Sequence, residues 1–81
     1  MKNTWEKIFE YASMPVHGTM SRKLRKSVTL QINEGKIFEQ ATIFLGEEFV
    51  RITTVGEDKL ATNTYYDWGG IVSIRTTSPS E

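Results

Sequence analysis

The sequence predicts a mainly β domain: five antiparallel strands, strongly bent and rolled into a small barrel, with one α-helix at the N-terminus. Three observations predict it. The apolar residues recur with helical spacing only before Pro15, and from Ser27 onward they recur every second residue. Turn signals punctuate that second region at short intervals, at Asn33-Glu34-Gly35, Gly46-Glu47-Glu48, Gly56-Glu57-Asp58-Lys59 and Asp67-Trp68-Gly69-Gly70. The chain has 81 residues and no cysteine, so one small core without disulfide support must hold it. It reads as one domain, residues 1–81, divided into a helix (3–14), a basic linker (15–26), a β-barrel (27–77) and a frayed tail (78–81).

In the helix, Trp5, Ile8, Phe9 and Ala12 fall at i, i+3, i+4 and i+7 and make one apolar face. Asn3 with Glu6 three residues later has the form of a capping box, and Pro15 restricts Met14 and ends the helix. About ten residues of helix need a docking surface to be stable. In the first strand Val28, Leu30 and Ile32 alternate with Thr29 and Gln31, and Gly35 is expected to supply the positive φ of the hairpin that follows. The long second strand, 36–45, carries Ile37, Ala41, Ile43 and Leu45 on one face and Phe38 and Phe44 on the other. Apolar residues on both faces with small Ala41 midway predict a strand that bends and serves two packing surfaces. Phe49–Val55 is the third strand, with Val50 and Ile52 on one face and Arg51 and Thr53 on the other. Leu60–Tyr66 is the fourth, Asp67–Gly70 a corner, and Ile71–Thr76 the fifth.

Charge is sorted along the chain although it sums to zero. Residues 1–26 hold six Lys/Arg against two Glu, net +4, and residues 27–81 hold four against eight, net −4. Four of the cations, Arg22, Lys23, Arg25 and Lys26, lie within five residues. They form either a solvated loop or a phosphate-contacting patch. Enzymatic chemistry finds little to work with. His17 is the only imidazole, and the paired carboxylates Glu47-Glu48 and Glu57-Asp58 sit at turns, where solvation is the default and neither member is desolvated as a catalytic pair requires. No metal site, cofactor loop or membrane segment is expected, and the lack of cysteine points to a cytoplasmic setting.

Ile32-Asn33-Glu34-Gly35, Ala41-Thr42-Ile43 and Tyr66-Asp67-Trp68-Gly69-Gly70-Ile71-Val72-Ser73-Ile74 together resemble the Sm-like barrels, including their bacterial host-factor branch. The resemblance covers Ser27 to Thr76. It implies the barrel fold, and it implies RNA binding only where the family's Tyr-Lys-His type motif stands before the last strand. Asp67 and Trp68 occupy that place, so the RNA site does not carry over residue for residue.

The expectation is therefore a non-enzymatic binding module with two readings left open. In one, Arg22, Lys23, Arg25 and Lys26 contact nucleic-acid phosphates and Tyr65 or Trp68 offers a stacking surface. In the other, the chain binds a protein or assembles as a homo-oligomer, with no nucleic-acid role. Trp68 either anchors a partner or plugs the barrel beneath the helix that carries Trp5.

Overall fold

A computed structural model describes residues 1–80. The fold is mainly β, with one helix and eight strands in two antiparallel sheets. In chain order the elements are α1 (Lys2–Ala12), β1 (Ser13–Pro15), β2 (Arg22–Leu24), β3 (Thr29–Ile32), β4 (Ile37–Phe38), β5 (Thr42–Leu45), β6 (Phe49–Val55), β7 (Ala61–Asp67), a 3-10 turn (Trp68–Gly70) and β8 (Ile74–Thr77). One sheet has the order β1-β2-β5-β6-β7 and the other β4-β3-β8. The two share no ladder, so the strands do not close into a barrel. No helix among the described residues is long and apolar enough to cross a membrane. Of the tail expected at 78–81, Glu81 lies outside the described residues.

The helix buries the face its spacing defines: Trp5, Phe9 and Ala12 are in the core and Ile8 packs against it. Its ends differ from expectation. It begins at Lys2 with no side-chain cap, so Asn3 and Glu6 lie inside the first turns and form no capping box. It stops at Ala12 rather than beside Pro15, because Ser13 turns extended and its hydroxyl donates to the Phe9 carbonyl. Ser13 then opens a hairpin. The segment expected as a linker pairs Ser13 with Leu24, Met14 with Lys23 and Pro15 with Arg22, and β2 goes on to pair with β5. Three-residue strands interrupted by proline and glycine are too short to show a period of two, which is why the sequence reads as a linker there.

The long strand expected over 36–45 is two strands in two sheets. The break falls at Glu39-Gln40-Ala41, where Gln40 takes φ +52° and the Ala41 carbonyl accepts a hydrogen bond from Leu24 N–H. One residue too many at the break inverts the alternation, as a bulge does. Phe38, Ala41 and Ile43 consequently all face the core, while Ile37 is exposed. The bend is present, but the two faces are not those the uninterrupted period describes.

The hairpin between β3 and β4 has positive φ at Asn33 and Glu34, not at Gly35. Two successive positive values are the signature of a type I′ turn, and Gly35 N–H closes it on the Ile32 carbonyl. At Gly35 a Cβ would lie 3.3 Å from the Ile32 carbonyl oxygen, a tight contact that a small shift of the turn would have to relieve. Asn33 holds its positive φ while its side chain makes three hydrogen bonds. Nδ2 donates to the Gly70 carbonyl (2.8 Å), and Oδ1 accepts from Val72 N–H (2.7 Å) and Ser73 N–H (3.2 Å). These three bonds fasten the hairpin to the corner some forty residues later. Asn33→Ala removes all three and leaves a Cβ-bearing residue at positive φ, so it is expected to cost about 3 kcal/mol. A urea unfolding midpoint measures it.

Candidate interaction surface

The structure separates the four cations of the basic run. The Arg22 guanidinium donates to Ser13 Oγ (2.8 Å) and to the Glu10 and Ser13 carbonyls (3.3 Å each). Arg25 donates from Nε to the Tyr11 carbonyl (2.9 Å), and its backbone N–H donates to the Ala12 carbonyl (2.9 Å). These acceptors belong to the last turn of α1 and the residue that caps it. The last carbonyls of a helix lack intrahelical donors and carry the negative end of its dipole. Two of the four cations are thus a helix C-terminal clamp. Lys23 and Lys26 are exposed and line one groove with Arg25, facing Glu39 and Gln40 across a volume of about 1040 Å³.

Trp68 belongs to the core. It is 6% exposed, its Nε1 donates to the Gly46 carbonyl (3.0 Å), and it meets Phe9 of the helix edge-on at 5.9 Å. Asp67 accepts from Gly69 N–H (3.0 Å) and so caps the turn that seats the indole. A Cβ on Gly69 would lie 3.1 Å from the same carboxylate, whereas one on Gly70 would meet nothing, and neither glycine has positive φ. The corner therefore does not depend on backbone angles that only glycine adopts.

Tyr65 is 58% exposed and is the one aromatic of the predicted site that faces solvent. Strand alternation sends Tyr66 the other way, against the core, where burial raises its phenol pKa above the usual value. Register places Tyr65 opposite Arg51, and Arg51 opposite Phe44, in one row across β7, β6 and β5. Phe49 fills the space beside them, with ring centroids 5.6 Å from Tyr65 and 6.2 Å from Phe44. The Arg51 guanidinium lies 5.1 Å from the Phe44 centroid, a cation–π distance, and its Nε is buried without a hydrogen-bond partner. The parallel row runs Met14, Lys23, Thr42, Thr53, Asn63 across all five strands, with Thr53 Oγ1 donating to Asn63 Oδ1 at 2.6 Å. Lys23 and Tyr65 therefore share a sheet face, separated by three strand spacings, roughly 14 Å.

This face ends on an open strand. The bonds from Trp68 N–H to the Glu48 carbonyl and from Gly56 N–H to the Leu60 carbonyl bracket the β6–β7 ladder. Antiparallel bonding alternates, so residues 62, 64 and 66 bond to β6. Ala61, Asn63, Tyr65 and Asp67 turn their N–H and C=O groups outward, where no strand receives them. β7 has seven residues with no Pro, Lys or Gly, whereas the opposite edge, β1, has three and includes Pro15. Edge strands are ordinarily kept short, charged or bulged to prevent pairing. β7 is neither short nor interrupted by proline, and its single charge, Asp67, stands at its last residue.

Phe44, Phe49 and Arg51 were not among the residues the sequence singles out. Their alternation marks Arg51 as outward-facing, but the row they form depends on cross-strand register. Among the described residues no three His, Cys, Asp or Glu side chains gather to hold a metal. The chain matches no family model, no curated protein and no solved structure in comparisons with known proteins.

Two outcomes follow from this geometry. Arg22→Ala is expected to cost about 1–3 kcal/mol and Arg25→Ala about 1 kcal/mol, through lost charge-assisted bonds to the helix end. Lys23→Ala and Lys26→Ala should stay within about 0.5 kcal/mol of the parent, all four read by urea unfolding. For Tyr66, the folded state holds its proton above the pH at which the unfolded chain loses it. Its contribution is therefore complete below about pH 10 and is lost as pH rises through the raised value. In a tyrosinate absorbance titration, Tyr66→Phe should remove the step at highest pH.

Proposed function

We propose that this chain is a non-enzymatic protein-binding module that takes an extended strand of its partner along β7. The observation that carries this reading is the long, open seven-residue edge beside Tyr65, Phe49 and Arg51. Strand addition to a sheet edge draws affinity from main-chain hydrogen bonds and specificity from neighbouring side chains. Tyr and Arg are the residue types that dominate such contacts. The N-terminal helix, and a chain path that bends from one sheet into the other at residues 39–41, support an Sm-like arrangement for the module.

The groove bearing Lys23, Arg25 and Lys26 favours a second reading, a nucleic-acid contact. Magnitude counts against it. With Arg22 and Arg25 engaged at the helix end, two free lysines neutralise about two phosphates. On a single strand that gives a log–log salt slope of only about −1.4.

Purifying the chain from its own cells decides between them. A co-purifying protein is expected, retained by a variant carrying Lys23→Ala and Lys26→Ala and lost in Asn63→Lys, which places a charge on the edge. Nucleic acid recovered with the parent and lost with the lysine substitutions overturns the proposal.

A further inference from the structure

Resting on the reading of β7 as a strand-binding edge, we infer that the strand it receives is β7 of a second copy, running antiparallel about a two-fold axis at Thr64. The outward N–H and C=O groups belong to alternate residues, 61, 63, 65 and 67, so only registers that oppose odd residues form bonds. With the axis at Thr64, Ala61 opposes Asp67 and Asn63 opposes Tyr65, each twice by symmetry, and all four residues on each copy are paired. An axis at Asn63 or at Tyr65 pairs only three of them.

Charge fits this register. Asp67 is the only acid or base in β7, and the axis carries it to the far end, opposite Ala61 of the second copy. Lys59 lies one diagonal step further along that copy, in a turn that also holds Glu57 and Asp58, so the fit is that the paired strands themselves oppose no like charges. On the inner face Thr64 meets Thr64 at a non-hydrogen-bonded site, where side chains come closest. On the outer face the row Phe44, Arg51, Tyr65 continues into Asn63, Thr53, Thr42 and Lys23 of the second copy. The arrangement also terminates itself. An isologous contact uses both long edges, and the resulting ten-stranded sheet ends at each side on three-residue β1 with its proline.

The parent chain has no cysteine, so a single introduced thiol reports on the axis. Across a non-hydrogen-bonded pair the two Cα atoms stand about 4.5 Å apart, inside the range a disulfide spans. Thr64→Cys is expected to oxidise to a covalent dimer faster than Val72→Cys, whose position is 78% exposed and lies outside β7. Sedimentation equilibrium of the parent should show twice the chain mass, and Asn63→Lys should return it to the monomer mass. A parent that sediments as a monomer throughout the micromolar range, with Thr64→Cys no faster to oxidise than Val72→Cys, overturns the inference. So does a dimer or larger ring in which Thr64→Cys does not cross-link, because its edges then pair in another way. If the chain is monomeric but Asn63→Lys still abolishes recovery of a cellular protein, self-pairing falls while strand binding stands. If Asn63→Lys changes neither measurement, both fall.

Discussion

Two sheets that share no ladder depend for their union on the core between them and on polar bonds at the corner, and much of this chain answers to that constraint. The core that joins them is small. Leu30, Ile32 and Phe38 come from the three-stranded sheet, Ile43, Val50 and Ile52 from the five-stranded one, with Trp5 and Phe9 of the helix and Trp68 of the corner completing it. The helix is thus a structural member rather than a detachable arm, because Trp5, Phe9 and Ala12 are buried in the core and Phe9 meets Trp68 edge to face. Polar bonds fix the same joint from outside. Asn33 couples the β3–β4 hairpin to the corner, and the Trp68 indole N–H couples the corner to the turn after β5.

The same constraint explains where the positive charge goes. A short helix that must sit firmly on the core cannot leave its C-terminal carbonyls unpaired next to a buried serine. Ser13 is fully buried, and its hydroxyl donates to Phe9 and accepts from Arg22, so one arginine and one serine close most of the helix end. The β1–β2 hairpin brings Arg22 and Arg25 back to that end. Charge sorting along the sequence is therefore partly a record of helix capping, with Lys23 and Lys26 left as its exposed remainder.

What the core does not need, the sheet displays. Alternation on β6 and β7 assigns Val50, Ile52 and Tyr66 to the interior and leaves Phe49, Arg51, Asn63 and Tyr65 outside. An arginine packed on an aromatic ring, with one nitrogen already dehydrated, has lost part of its solvation before any partner arrives. Beside it runs a strand edge with unspent backbone bonds. The apolar residues of the core lie between the sheets, and the outer face and its edge are left exposed.

The sequence by itself determined the mainly β class of the fold, the apolar face of the helix and the alternation of β3 and β6. Those features are local, because periods of 3.6 and 2 follow from backbone geometry and need no knowledge of neighbours. Tertiary structure decided the rest. The hairpin at 13–24 exists because β2 finds β5, not because three residues prefer to be a strand. The split of the long strand follows from one residue at positive φ, which the sequence does not mark at Gln40. The fates of Arg22 and Arg25 depend on a helix end ten or more residues away, and the row of Phe44, Arg51 and Tyr65 depends on register between three strands. Long-range pairing set these positions, and composition and periodicity contain no information about it.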